Sequence, residues 1–147
     1  MLGMPNPDYS KNYEVLMAVV THLAVNKWAL RQPKGIAKDL SIEDVQSVRN
    51  VLKSFKGLFR ESKGISKDHG DHFYSLHLRH SRQGDGDNVD QERAPLEPEY
   101  LFSLLKFVSE KSAQESQQMT ALRVAGMTSM ISLIVAAASL FVVLHKG

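Results

Sequence analysis

The spacing of apolar residues divides the chain into helical and strand-like segments. Apolar positions recur at steps of three and four from Ser10 to Arg31, which predicts a first helix that Trp28 and Leu30 close. A short second helix should follow, with Ile36 on its apolar side. A third helix is indicated by apolar residues at helical spacing: Val45, Val48, Leu52 and Phe55.

Polar residues mark the predicted ends of the third helix. Ser41, with Asp44 three residues later, fits a capping box, in which two side chains satisfy backbone N–H groups where a helix begins. Gly57 stands where a C-terminal cap is expected. The third helix should therefore lie between these two signals.

The apolar period changes to two after the third helix. Residues 58–63 are short enough for a strand, and residues 64–71 are rich in turn formers, with Gly70 expected at a positive φ. Apolar residues then alternate with polar ones, as in a half-buried strand, at Tyr74, Leu76 and Leu78. These segments predict a β-hairpin.

The second half of the chain begins with a polar connector. Residues 83–95 are nearly devoid of apolar side chains, which predicts a flexible, acidic linker. Pro98 stands between two glutamates and predicts the start of a further helix. We expect this juxtamembrane helix to cover residues 96–122, with apolar residues in its first third: Leu101, Leu104, Leu105 and Val108.

The last two dozen residues are the most apolar part of the chain. After Arg123 no charge occurs from Val124 to Leu144. As a helix this run is roughly 30 Å long, the thickness of the hydrocarbon core of a bilayer. It predicts a single membrane-spanning tail anchor over residues 123–145. The alternative, a buried core helix, is disfavoured because such helices usually keep a polar face.

Small residues in this segment recur at steps of four and three, which places them on one face of a helix. Such a face permits close helix approach in lipid, so we predict a homodimer formed through the C-terminal helices, although small residues are also common in membrane helices generally. The face consists of Ala125, Ser129, Ser132, Ala136 and Ser139.

Charge on either side of the anchor predicts its orientation. Residues 1–11 are polar and carry no signal-peptide pattern, so the N-terminal domain should stay in the compartment where it is made. Lys106, Lys111 and Arg123 precede the anchor and Lys146 follows it. This excess predicts a single-pass protein with a cytoplasmic N-terminal domain and its C-terminus across the bilayer.

The composition of the 147 residues excludes several classes of function. The chain has no cysteine, so disulfides, thiolate metal sites and cysteine nucleophiles are impossible. It also lacks a glycine-rich phosphate loop, a His-Glu-x-x-His motif and a nucleophile elbow. We therefore expect neither an enzyme nor a cofactor.

Histidines and acids cluster around the predicted turn at Gly70. Asp68, His69, Asp71 and His72 flank this glycine. A metal site and a pH-sensing role are both alternatives, but a tight turn accounts for these residue types equally well. No metal is expected.

The order of helix, short helix, helix and hairpin resembles a winged helix-turn-helix domain of bacterial transcription regulators. The resemblance is carried by the segment 35–40, with the small residue Ala37 inside it, by the apolar residues of the third helix, and by the segment 57–59. It covers residues 10–82, preceded by a flexible N-terminus at residues 1–9. It implies that the third helix enters the DNA major groove, while the hairpin lies along the backbone or the minor groove.

The polar residues of this region suit double-stranded DNA. Arginine can pair with guanine and amide side chains with adenine, while lysine suits phosphates. On the third helix the candidates are Gln46, Arg49, Asn50, Lys53 and Lys56, and on the hairpin they are Arg60, Lys63, Lys67 and Arg79.

The sequence thus predicts a mainly α fold with a small β-hairpin and a long C-terminal helix that ends in a membrane span. The first hypothesis is a membrane-tethered winged-helix protein that binds DNA, as a transcriptional regulator or nucleic-acid sensor. Winged helices also bind proteins. The alternative is a membrane effector or adaptor whose winged helix docks a protein partner and whose anchor oligomerises.

Overall fold

A computed structural model describes residues 7–83 and 88–145. Residues 1–6 of the predicted N-terminus and 84–87 of the predicted linker lie outside this part. The described chain is mainly helical and contains one two-stranded antiparallel sheet and a long C-terminal helix, as predicted. The elements are α1 (Tyr13–Val25), α2 (Pro33–Asp39), α3 (Val45–Ser54), β1 (Phe59–Ile65), β2 (His72–Leu76), α4 (His77–Gln83) and α5 (Pro98–His145).

Residues up to Ser112 form one compact unit around a single hydrophobic core. Helices α1, α2 and α3 bury one face each, and the hairpin contributes Phe59, Tyr74 and Leu76 to the same core. The start of α5 packs there too, because Val108 is fully buried. The unit therefore continues past residue 82, where the resemblance to a winged helix ends.

Helix α1 is shorter than predicted, because it ends at Val25 rather than at Arg31. Asn26 leaves the helix with ψ 138°, and its side chain accepts a hydrogen bond from the backbone N–H of Trp28. Arg31 and Tyr74 then exchange backbone hydrogen bonds of 2.9 and 2.8 Å, which adds a short third segment to the hairpin. Pairing with the sheet thus replaces the last helical turns.

The turn between α2 and α3 corrects the predicted capping box. Ser41 has φ 56° and closes α2, since its N–H donates to Lys38 O and the N–H of Ile42 donates to Ala37 O. This is a Schellman motif with serine in the position that usually holds glycine. Asp44 is the N-cap of α3, and its side chain accepts from the Gln46 N–H at 2.9 Å.

The hairpin turn is confirmed, since among the described glycines Gly70 alone has a positive φ, 67°.

Two further boundaries differ from the predictions. Helix α3 ends at Ser54 with Phe55 as its C-cap, so Gly57 does not cap it. Strand β2 ends at Leu76 and the chain turns directly into α4, so Leu78 belongs to a helix rather than to the strand.

The described part of the predicted linker is hydrogen-bonded to the compact unit. Glu92 forms an isolated β-bridge with Trp28, and the Arg93 N–H donates to Lys27 O at 2.8 Å. Leu96 is buried, and its N–H donates to Ala24 O at 2.8 Å. We call residues 92–96 the strap, because they run along the end of α1 immediately before α5 begins.

Arg79 joins the strap to α1 from inside the unit. This side chain is fully buried, and its Nη1 donates to Leu23 O and Asn26 O, both at 2.8 Å. Its Nη2 donates to Arg93 O at 3.1 Å and to Ala94 O at 2.7 Å. The guanidinium thus satisfies carbonyls that the end of a helix leaves without partners. Burial and the nearby Arg93 charge lower the pKa of Arg79.

Residues from Ala113 onward form a second unit, which consists of the rest of α5. Between Ala113 and Ala137 its large apolar side chains are exposed, including Met127, Ile131 and Leu133. This is a helix long and apolar enough to cross a membrane: a window of 18 residues has mean hydropathy 1.6, and none of it is buried. A soluble core helix would be mostly covered, so the exposure disfavours that alternative.

Arg79→Lys should lower the free energy of unfolding by about 2–4 kcal/mol, because an ammonium cannot span four carbonyls that a planar fork satisfies. The control Arg82→Lys alters an exposed arginine bonded to Glu97 and should lower the free energy of unfolding far less, because water screens this pair. Urea unfolding of the full chain in detergent micelles, followed by the fluorescence of its single tryptophan, Trp28, measures both. Equal destabilisation of the two variants would contradict this role for Arg79.

Candidate nucleic-acid interface

Helix α3 presents a polar face to solvent because its apolar residues all point inward. Val48, Val51 and Leu52 are buried against α1 and α2, while Gln46 and Asn50 are exposed. The two exposed amides are joined, since Gln46 Nε2 donates to Asn50 Oδ1 at 2.9 Å. The predicted outward face of the third helix is therefore a continuous polar surface.

Arg49 lies in the middle of this face and is paired with the hairpin. Its Nε donates to Asp71 Oδ1 at 3.0 Å and its Nη2 donates to Asp71 Oδ2 at 2.8 Å. The side chains are 30% and 17% exposed, so the pair is only partly solvated. The hydrogen bond to Arg49 is the main cause that lowers the pKa of Asp71, and the same bond raises the pKa of Arg49.

Beyond Arg49, a basic groove of about 330 Å³ runs between the end of α3 and the hairpin. Three of the predicted DNA-contacting residues line it together: Lys53, Lys56 and Arg60. Its floor is apolar, formed by Leu52 and Phe59, which are buried. These two lysines and one arginine can attract an anion, and the apolar floor can contact flat or apolar groups that the anion carries.

One carboxylate, that of Glu61, also lines the basic groove. Two neighbouring side chains contact its oxygens. The Tyr74 hydroxyl donates to Glu61 Oε2 at 3.1 Å, and His72 Nε2 lies 3.5 Å from Glu61 Oε1. Burial, together with this acid, raises the pKa of Tyr74, so the phenol remains a neutral donor. Glu61 is thereby engaged with β2 rather than facing the lysines alone.

The hairpin carries two further predicted phosphate contacts, Lys63 in β1 and Lys67 in the turn. Lys63 and Lys67 are exposed, as is His69 beside Gly70. The turn is closed by backbone hydrogen bonds, with Ser66 N donating to Asp71 O at 2.8 Å. Within the described ranges no three His, Asp or Glu side chains converge as metal ligands would.

Arg79 does not belong to this surface, although the sequence assigned it a phosphate contact on the hairpin. It lies beyond the end of β2, on α4, and points into the core. The alternation that seemed to continue through Leu78 predicted an exposed Arg79. Because β2 turns into a helix at His77, the side chain is directed inward instead.

The five small residues predicted to mediate membrane association all lie on the described part of α5 and are exposed. Steps of four and three keep Ala125, Ser129 and Ser132 on one side of the helix, with Ala136 and Ser139 continuing it. The hydroxyls of Ser132 and Ser139 donate to backbone carbonyls four residues earlier. These two hydroxyl hydrogens are therefore satisfied within the helix.

Sequence reasoning missed the partner of Arg49. Asp71 stood out only as a turn residue and as a candidate metal ligand. It is 22 residues from Arg49, and their contact depends on where the hairpin turn is placed against α3. No local pattern signals such a pair.

No protein-family model, curated protein or solved structure matches this chain. The function of this surface is therefore argued from its own geometry.

Asp71→Asn should lower the free energy of unfolding by about 1 kcal/mol at neutral pH, because it removes a charge-assisted pair. The folded pKa of Asp71 lies below its ordinary value of 3.8, so the stabilisation is complete above that pH. It is lost as the pH falls through the folded pKa, and wild type and variant should then converge. Urea unfolding at pH 7 and at pH 2–3 tests this, with Asp68→Asn in the same turn as the control. A difference that persists at low pH would contradict it.

Proposed function

We propose that this chain is a membrane-attached winged-helix protein that binds double-stranded DNA. The observation that carries the proposal is the basic groove, in which Lys53 of α3, Lys56 of the following turn and Arg60 of β1 come together. The spacing of apolar residues predicts that Lys53 and Lys56 point outward, and the winged-helix resemblance puts Arg60 on the hairpin beside the DNA backbone. Their convergence beside the polar face of α3 supports one continuous anionic partner.

The order of elements supports the winged-helix assignment. Three helices precede an antiparallel hairpin, and α2 and α3 pack against each other across a tight turn at Ser41. The bridge between Arg31 and Tyr74 adds a third segment to the hairpin from between α1 and α2. In such a domain α3 is the helix that enters the major groove, with the hairpin beside it.

Duplex DNA fits the chemistry of this surface better than a small anion does. The cations include Lys63 and Lys67 of the hairpin, both exposed, as well as the three that line the groove, which is more positive charge than one phosphate group needs. A row of phosphates with base edges beside it would engage both the cations and the amides of Gln46 and Asn50. DNA binding then places the amides over bases and the lysines over the backbone.

The second unit supports attachment to a membrane. Up to Ala137, where the structure describes its side chains, the apolar residues have no protein cover, and burial in lipid would remove that surface from water. Lys106, Lys111 and Arg123 precede the segment, which favours a cytoplasmic N-terminal domain where DNA is accessible. The attachment would restrict binding to DNA near the membrane.

Pairing of two chains through the small-residue face of α5 completes the proposal. The face from Ala125 to Ser139 permits close backbone approach in lipid. Two linked domains raise each other's effective concentration at neighbouring DNA sites, so modest single-domain affinity suffices.

Binding of duplex DNA should weaken with salt. If about five lysines and arginines contact phosphates, the plot of log affinity against log salt has a slope of about −4 to −5. Lys53→Gln combined with Lys56→Gln should reduce the magnitude of this slope by about 2. Fluorescence anisotropy of a labelled duplex with the full chain in uncharged detergent measures it.

The matched control for this titration is Lys106→Gln combined with Lys111→Gln, which removes the same charge from α5 and should leave the slope unchanged. An equal change in both double variants would mean that the attraction is non-specific. Absence of duplex binding at low salt would leave the protein-partner alternative.

The full chain should remain with membranes after alkaline carbonate extraction. Leu133→Arg combined with Ile134→Arg should release it, because each arginine near the centre of a span costs about 2.5–3.5 kcal/mol. The control Leu133→Ala combined with Ile134→Ala should stay in the membrane pellet. Release of the wild-type chain as a folded, detergent-free particle would overturn the membrane attachment.

A further inference from the structure

The pairing of Arg49 with Asp71 leaves one edge of the guanidinium without a partner in the part of the chain that the structure describes. Asp71 takes the Nε hydrogen and one Nη2 hydrogen, at 3.0 and 2.8 Å. The adjacent edge, at the end of the planar group, carries one hydrogen on Nη1 and one on Nη2, which are parallel to each other and are directed about 120° from those that Asp71 accepts. The pair is thus a pre-formed fork of two donors on the polar face of α3.

We infer that Arg49 reads a guanine through this free edge and that Asp71 is the residue that positions it. The inference rests on the DNA binding proposed above. In the major groove guanine presents two adjacent acceptors, N7 and O6, whereas adenine pairs its N7 acceptor with a donor. Two parallel donors therefore select guanine.

Asp71 is well placed to fix the fork before DNA arrives. Its turn is closed by the hydrogen bonds of Ser66 N to Asp71 O and of Gly70 N to Ser66 O, at 2.8 and 3.0 Å, and Gly70 takes the positive φ that this closure needs. An arginine held in one orientation loses less conformational freedom on binding. Asp71 therefore acts through Arg49, as a positioning residue.

The charge of the pair argues against the alternative that Arg49 grips a phosphate. Arg49 and Asp71 together carry no net charge, and the carboxylate would repel a phosphate at that point. Lys53 and Lys56 line the neighbouring groove, form no bidentate pair with a carboxylate among the described residues, and suit the backbone. On this surface, therefore, Arg49 contacts a base, and Lys53 and Lys56 contact the phosphates of the DNA backbone.

Selection of a randomised duplex pool by the full chain in phosphatidylcholine nanodiscs tests the inference. The wild type should enrich one position in guanine. Arg49→Lys and Asp71→Asn should lose that enrichment, because a lysine has no fork and an asparagine offers one acceptor oxygen. Both should retain affinity for the unselected pool within about threefold. Asp68→Asn should behave as wild type.

A second measurement uses 7-deazaguanine at the enriched position, which removes the N7 acceptor. Wild-type affinity should fall roughly tenfold, and Asp71→Asn affinity by less than about twofold. The quantity compared is the affinity for the guanine duplex divided by the affinity for the 7-deazaguanine duplex. If Asp71 merely stabilises the hairpin, Asp71→Asn should keep the wild-type value of this ratio, because a stability defect weakens binding to both duplexes alike.

Three results would overturn the inference. If the wild type binds duplex but the guanine preference or the 7-deazaguanine penalty persists in Asp71→Asn, the positioning role is wrong and DNA binding stands. If no guanine position depends on Arg49, the base-reading role is wrong and DNA binding again stands. If the wild type binds no duplex, the proposed function fails and the inference fails with it.

Discussion

The buried guanidinium of Arg79 is the interaction on which the compact unit depends. It closes the end of α1 and the strap with four hydrogen bonds to backbone carbonyls. Buried carbonyls must find donors, and no apolar side chain can supply them. One planar cation does so for two segments that are some 70 residues apart in sequence. The strap in turn fixes the chain at Leu96, immediately before α5, whose first third completes the core through Val108.

Two arginines of this chain, Arg79 and Arg49, differ in the groups that accept their hydrogen bonds. Arg79 is buried and donates to backbone carbonyls, so it is inaccessible to a ligand. Arg49 is partly exposed and donates to the Asp71 carboxylate through Nε and Nη2, which leaves the edge formed by Nη1 and Nη2 without a partner among the described residues. Lys53, Lys56 and Arg60 converge near Arg49 but in a separate groove. The proposed division of labour, with Arg49 at a base and the groove at the backbone, follows from how each cation is neutralised.

Elements whose stability is local could be predicted from the sequence, and those decided by distant pairing could not. The periodicity of α3 and the positive φ of Gly70 depend on neighbouring residues, and both were predicted. The end of α1 depends on Arg31 pairing with Tyr74, 43 residues later along the printed sequence. The inward turn of Arg79 depends on β2 ending at Leu76, and the partner of Arg49 depends on the packing of the hairpin. No local periodicity encodes these three.

The central claim is that one chain holds duplex DNA at a lipid surface. Flotation of vesicles carrying the full chain, mixed with labelled duplex, tests it most directly. The duplex should rise with the vesicles at low salt and remain at the bottom of the gradient at high salt, because phosphate contacts are screened. Vesicles that rise with the protein but leave the duplex behind at low salt would contradict the account.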